Sequence, residues 1–312
     1  MQDNARKITY GAMMIALFAI LLAVSVYTPL LGNITMFFIP LPIILYRLRY
    51  DRTSSLLVAA TGIMLSLLVG GILLTPLAFV HALLGFVIGE TVKTGKTKLY
   101  SLMATGLTLL VTTIIIYVGT VLLFGINAID ELLKYIREVQ GQVTEVMTKY
   151  GGLPDGYDEL MEAQFLLYQN TIPAIFILSA FILAFIFITL NLAVVNRLGH
   201  KIQKFPPFRE MKLPMMTVVI YGIVLLMSLF VKMEPGTNLY LITLNATTIL
   251  RFLLLLQGIS LIHHYMHETK LPKVVTGITT ILALLLSPVT TMLGILDSGM
   301  NIRAWIGKDK TK

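Results

Sequence analysis

Apolar positions along this chain fall into long runs separated by short polar segments. Most of the runs contain the roughly 20 residues that a helix needs to cross the hydrocarbon core of a bilayer. Nine runs can be distinguished, at about 8–31, 34–46, 54–71, 73–91, 99–124, 170–194, 214–231, 239–262 and 274–296. The second run is short and contains Pro40 and Pro42, so we expect it to be bent or only partly spanning. The pattern predicts an all-α, polytopic membrane helix bundle with about nine transmembrane segments.

Composition supports a membrane protein. The chain is 56% hydrophobic and only 13% charged, whereas soluble domains carry about a quarter charged residues. Its mean hydropathy is +0.84. The absence of cysteine excludes disulfides and thiolate metal sites.

Basic residues predict which side of the membrane each loop occupies. Lys and Arg concentrate in the N-terminal segment and in every second loop, for example at Arg6, Arg49 and Lys96, whereas the long loop 126–169 carries three basic and eight acidic residues. The positive-inside rule then predicts a cytoplasmic N-terminus and an extracytoplasmic loop 126–169. The net charge of +8 reflects this topology rather than a nucleic-acid partner. We expect a multi-pass protein of the bacterial cell membrane, surrounded by the lipid bilayer.

The order of the runs predicts two membrane parts joined by a basic loop. Residues 1–196 would form a six-helix core that contains the acidic insert 126–169. Residues 197–213 would form a cytoplasmic loop, and residues 214–312 a three-segment C-terminal module. The simpler interpretation of the last run is a single crossing, but Pro288 can instead split it into a re-entrant hairpin that returns the tail to the cytoplasm.

The acidic insert has a helical pattern of its own. Apolar residues recur at helical spacing over 129–147 and again over 157–166, with glycines and Pro154 between them. This predicts two short amphipathic helices over the outer mouth of the bundle. They would act as a lid or as a packed structural insert.

Two membrane segments carry small residues at the same steps of four, three and four, which keep them on one helix face. The first small-residue stripe is Ala12, Ala16, Ala19 and Ala23. The second small-residue stripe is Ala78, Ala82, Gly85 and Gly89. Smooth faces of this kind let another helix approach closely in lipid. Both stripes are predicted to be docking faces, for the chain's own helices or for a partner.

Several polar residues within the apolar runs are candidate ligand contacts. Arg251 lies near the middle of the eighth run, where a charge costs roughly 2.5 kcal/mol or more. It is expected to face the protein interior and to pair with amides, helix carbonyls or an anionic ligand. His81, Asn245 and Gln257 are further substrate-contact candidates, with hydrogen bonding between helices as the alternative.

No motif in the chain indicates an enzyme, a metal site or a cofactor. His263 and His267 are four residues apart, but the third ligand and the base of a zinc hydrolase are missing. The segment from Gly89 to Thr97 has five residues between its glycines, whereas a phosphate-binding P-loop has four. We therefore predict no catalytic activity.

Residues 1–196 resemble the substrate-binding S components of energy-coupling-factor (ECF) vitamin transporters, on the short proline-bearing second run and on the AxxxA motif from Ala12 to Ala16. That resemblance implies a six-helix core whose first helix docks a transmembrane coupling subunit. The whole chain resembles the YybS-like family of membrane proteins from Gram-positive bacteria. The residues that carry this second resemblance are Gln257, Gly258, Gly294, Asp297, Asn301 and Arg303.

Two functions follow as hypotheses. The first is a solute-binding or transport component, which takes an unknown small solute and docks a coupling subunit with a separate ATPase. The second is a non-transporting scaffold or regulator that binds another membrane protein, since the rod-shape morphogenesis protein MreD is thought to have a similar core. A transporter predicts a polar cavity lined by the named residues, whereas a scaffold predicts a filled interior and exposed small-residue grooves.

Overall fold

The computed structural model describes residues 2–200, 202, 205–300 and 302–303, and every regular element in these ranges is helical. The chain divides into two compact units. Unit 1 is Met1–Ile136 with Phe176–Phe205, and unit 2 is Arg137–Ile175 with Pro206–Lys312. Most of the insert, residues 137–169, belongs to unit 2.

Eleven α-helices occur in the described residues. They are α1 (Gln2–Tyr27), α2 (Pro29–Thr35), α3 (Leu41–Arg49), α4 (Arg52–Lys93), α5 (Lys98–Phe124), α6 (Ala128–Tyr150), α7 (Tyr157–Arg197), α8 (Met215–Phe230), α9 (Asn238–Glu268), α10 (Lys273–Leu285) and α11 (Ser287–Met300). Within these ranges six helical stretches are long and apolar enough to cross a membrane, or seven if α10 and α11 form one span. The polytopic helical membrane fold is confirmed, and the count of nine segments is not.

In unit 1, the second predicted run folds back along α1. A 3₁₀ turn, Met36–Phe38, joins α2 to α3, and the guanidinium of Arg49 at the end of α3 lies 4.8 Å from the ring centre of Tyr10 near the start of α1. Phe18 and Ile43 are fully buried between these helices and α4. The short, proline-bearing run is therefore bent, as predicted.

The long helix α4 is a hairpin of two arms. Gly70 and Gly71 leave helical geometry, and Gly71 has a φ of +66°, which glycine adopts without steric cost. The hydroxyls of Ser66 and Thr75 lie 3.5 Å apart, whereas nine residues of straight helix would separate them by about 13 Å. The third and fourth predicted runs are therefore separate antiparallel arms.

The insert forms one separate helix and the extension of another. In unit 2, Arg137 of α6 makes two hydrogen bonds to Glu162 of α7, at 3.0 and 3.2 Å, and lies 3.7 Å from the ring centre of Phe165. The prediction of a separate second amphipathic helix is wrong, because that segment continues without interruption into the membrane part of α7. This 41-residue helix is about 60 Å long, twice the thickness of the hydrocarbon core.

The last predicted run bends by 103° between α10 and α11. Along α10, Thr280 bonds to His263 of α9 at 2.8 Å. After the bend, Arg303 donates to the carbonyl of Arg209 at 2.7 Å and to the hydroxyl of Ser260 at 3.1 Å. Thr280 in α10 and Arg303 just after α11 therefore both lie beside the C-terminal third of α9. This arrangement favours the re-entrant hairpin over the single crossing.

Candidate functional site

The second small-residue stripe is covered by the chain itself. Ala78 and Ala82 are fully buried, and a Cβ added to Gly85 would lie 2.6 Å from the carbonyl oxygen of Pro40. A Cβ on Gly89 would lie 2.8 Å from the Cβ of Arg47. These contacts place α3 directly on the stripe. The prediction that a partner docks on this stripe is therefore corrected: the chain's own helix occupies it.

The first small-residue stripe is open. Ala12 and Ala16 are exposed, and Ala19 and Ala23 are half-buried. The buried side of α1 carries Phe18 instead, which lies roughly 130° around the helix axis from the centre of the stripe. Two stripes with the same spacing thus have opposite environments in unit 1.

A buried ion pair closes the end of the second stripe. The guanidinium of Arg47 donates to the carboxylate of Glu90 at 2.6 Å and to the carbonyl of Tyr50 at 2.8 Å. Arg47 is only 6% exposed. Sequence reasoning missed this pair, because the basic residues between the apolar runs were interpreted only through the positive-inside rule. The signal was Glu90, an acid at the end of an otherwise apolar run.

In unit 2, α9 and α11 pack backbone to backbone through two glycines. A Cβ added to Gly258 would lie 2.0 Å from the carbonyl oxygen of Thr290, and one on Gly294 would lie 1.9 Å from that of Leu254. Such distances leave no room for a side chain. The two glycines therefore let the backbones of α9 and α11 meet directly where these helices cross.

A cluster of polar side chains lies beside this contact between α9 and α11. Gln257 donates to Asp297 at 2.5 Å and accepts from the backbone amide of Leu213 at 2.9 Å. Arg303 donates to the same carboxylate oxygen of Asp297 at 2.8 Å. Asp297 is fully buried, so the opposite charge of Arg303 offsets part of its desolvation cost. The family-resemblance residues Gln257, Gly258, Gly294, Asp297 and Arg303 thus form one assembly, and Asn301 lies outside the described residues.

The other substrate-contact candidates point in different directions. Asn245 donates to the carbonyl of Asn170 and accepts from the amide of Ala174, both at 2.8 Å. It thereby replaces a helix bond next to Pro173, a structural role. Arg251 is exposed, and none of the described residues pairs with it. The expectation that Arg251 faces the interior is therefore wrong.

His81 is buried in unit 1. Its Nδ1 lies 2.7 Å from the carbonyl oxygen of Leu77, and its ring meets the ring of Phe187 edge-on at 5.4 Å. This is the geometry of a histidine packed between helices. Unit 1 also has a cavity of about 140 Å³ near its basic loops. Its lining contains none of the four substrate-contact candidates and consists of Val92, Gly95, Lys96, Lys98, Ser101, Leu192 and Ile202.

Comparison with known proteins places the chain in a family. The family model described as "Predicted membrane protein (DUF2232)" matches residues 16–298. The chain is 31% identical over 307 residues to "Uncharacterized protein YybS" of Bacillus subtilis (strain 168), covering 96% of this chain and 98% of the relative. No solved structure matches. The chain is therefore an integral membrane protein that belongs to the DUF2232 family, as the resemblance to YybS-like proteins predicted.

Proposed function

We propose that this protein is a docking component of a membrane complex, which holds a transmembrane helix of a partner protein on the first small-residue stripe. The main observation behind this proposal is that Ala12 and Ala16 are exposed. The second small-residue stripe has the same spacing, and there a helix covers the corresponding residues. Helices associate in lipid through close packing and interhelical hydrogen bonds rather than through a hydrophobic drive. An exposed stripe of alanines is the surface on which such packing is available.

The second small-residue stripe supports this proposal because it shows a helix packed on a face with the same spacing. There α3 approaches until the space beside Gly85 and Gly89 is too small for a methyl group. The first stripe carries alanines at all four positions, so a helix on it would be held slightly farther away. We therefore expect a partner that binds and is released, in contrast to a permanent internal contact.

The scaffold hypothesis is better supported than solute binding. Asn245, Gln257 and Arg251 face three different surroundings on α9, and the amide groups of the first two are already bonded within unit 2. A transport role for the same face stays a second proposal. In that case the partner would be a coupling subunit with a separate ATPase, as the resemblance to ECF S components implies, and the cargo an unknown small solute.

The test is native mass spectrometry of the protein extracted gently from its own membrane. Three forms are compared: the unaltered protein, Ala16→Leu, and the matched control Ala60→Leu, an exposed alanine of α4 outside both stripes. The proposal predicts a stoichiometric protein partner that is lost with Ala16→Leu and kept with Ala60→Leu. If Ala16→Leu retains every partner, docking on this stripe is wrong. A bound small molecule that survives Ala16→Leu would favour the transport role.

A further inference from the structure

Arg251 is an isolated charge on the membrane face of α9. No Asp, Glu, Lys or Arg accompanies it between Asn238 and His263. It lies thirteen residues after Asn238, or about 20 Å along the helix axis, and about 9 Å before the level of Gln257. A charge at this depth is costly and in most membrane proteins is paired. Arg251 is exposed instead.

The described residues supply no free carboxylate at this depth. The acids within the apolar parts of the described helices are Glu90 and Asp297, since Glu268 is the last residue of α9. Glu90 is bonded to Arg47, and Asp297 is bonded to Arg303. A second copy of the chain would bring the same two engaged acids. The counter-charge of Arg251 must therefore come from another kind of molecule.

The helix face around Arg251 carries no second charge. Leu254, three residues later, packs against Gly294 of α11, so Arg251 lies about one helix turn from that contact. The residues one turn away on the same face are Thr247, Thr248 and Leu255. Arginine is among the residues most enriched at interface hot spots.

Depth argues against a lipid phosphate as the partner. The headgroups lie about 15 Å from the bilayer centre, and arginines reach them mainly from helix ends. The Cα–Cβ bonds of a helix tilt toward its N-terminus, and the N-terminus of α9 is about 20 Å from Arg251 along the axis. A partner at this level has to be embedded in the membrane itself.

We propose that Arg251 docks a transmembrane helix of a different polypeptide that carries an Asp or Glu at mid-depth. The pair would form a charge-assisted hydrogen bond, bidentate where geometry allows, in a setting that contains little water. This inference does not depend on the first small-residue stripe, because it rests on another residue in the other unit.

The test uses the full-length protein in phosphatidylcholine bilayers with a fluorescent synthetic polyleucine helix. The helix carries a single central Glu, Gln or Leu, and association is measured by energy transfer. The unaltered protein should bind the Glu helix about tenfold more tightly than the Leu helix. Arg251→Leu should abolish this preference. The control Lys273→Leu, an exposed charge at the start of α10, should keep it, and so should Ala16→Leu.

Charge reversal separates docking from a structural role. Arg251→Glu should transfer the preference to a helix with a central Lys, an outcome that a misfolded variant would not give. Equal binding of the Glu and Leu helices by the unaltered protein would overturn the proposal. A preference that persists in Arg251→Leu would also overturn it. If anionic phosphatidylglycerol bilayers remove the preference, a lipid phosphate is the occupant and the proposal is wrong.

Discussion

The two small-residue stripes of unit 1 have the same steps and opposite surroundings. The second stripe is filled by α3, to the point that a Cβ on Gly85 would meet a backbone carbonyl at 2.6 Å. The first leaves Ala12 and Ala16 exposed. The difference shows that small-residue spacing marks a helix face able to pack closely, whereas the identity of the packing helix is decided by the rest of the fold. Glycine is a further indicator, since the filled stripe contains two and the open stripe none.

The largest expected effect comes from a side chain placed in the filled stripe. Gly85→Leu should lower the free energy of unfolding by about 3 kcal/mol, because the clash is with backbone that cannot rotate away. Ala16→Leu adds the same side chain to the open stripe and should change it by less than about 0.5 kcal/mol. Thermal unfolding in mild detergent measures both. Equal destabilisation by the two variants would remove the distinction between the stripes.

A smaller loss of folding stability is expected when the ion pair between Arg47 and Glu90, at the end of the filled stripe, is broken. Glu90→Gln leaves the buried guanidinium of Arg47 without its counter-charge, and we expect about 2 kcal/mol of destabilisation, since Glu90 itself is only partly buried. Glu138→Gln, an exposed acid of α6, should be neutral in the same thermal assay. If Glu90→Gln is also neutral, the pair does not hold α3 against α4.

The smallest effect concerns the contact between the start of α1 and the start of α4. The ammonium of Lys7, aided by the amide of Ser54, holds the pKa of Asp51 below its usual range. A lowered carboxyl pKa contributes stability above its unfolded value of about 3.9 and loses it as pH falls through the folded value. Melting temperature should therefore fall more steeply below about pH 4 in the unaltered protein than in Asp51→Asn. If the melting temperatures of the two proteins fall in parallel with pH, the ion pair adds nothing to stability, which is common for exposed ion pairs.

Much of the helical fold could be predicted from the sequence, because the length of an apolar run indicates whether a helix is long enough to cross the membrane. Gly70 and Gly71 separate two apolar runs, and the chain reverses there. Pro288 made a hairpin at the C-terminus one of two alternatives. The contacts that favour the hairpin include the hydrogen bond from Arg303 to the carbonyl of Arg209. Such a contact joins residues 94 apart in the chain, and no local pattern contains it.

The candidate sites were less predictable for the same reason. Gln257, Gly258, Gly294 and Asp297 were named from a resemblance, and their assembly depends on the close packing of α9 against α11. Arg251 was expected to be inside because charges in lipid are costly. That argument fixes the need for a partner and says nothing about whether the partner belongs to the same chain.

The most direct test of the docking account is photocrosslinking in the native membrane. A photoreactive residue replaces Ile20, an exposed residue beside the first stripe, or Val92, a half-buried residue beside the second. Position 20 should give an adduct with another polypeptide, and position 92 only an intramolecular product with the α3 region. An intermolecular adduct from position 92, or none from position 20, would contradict the account.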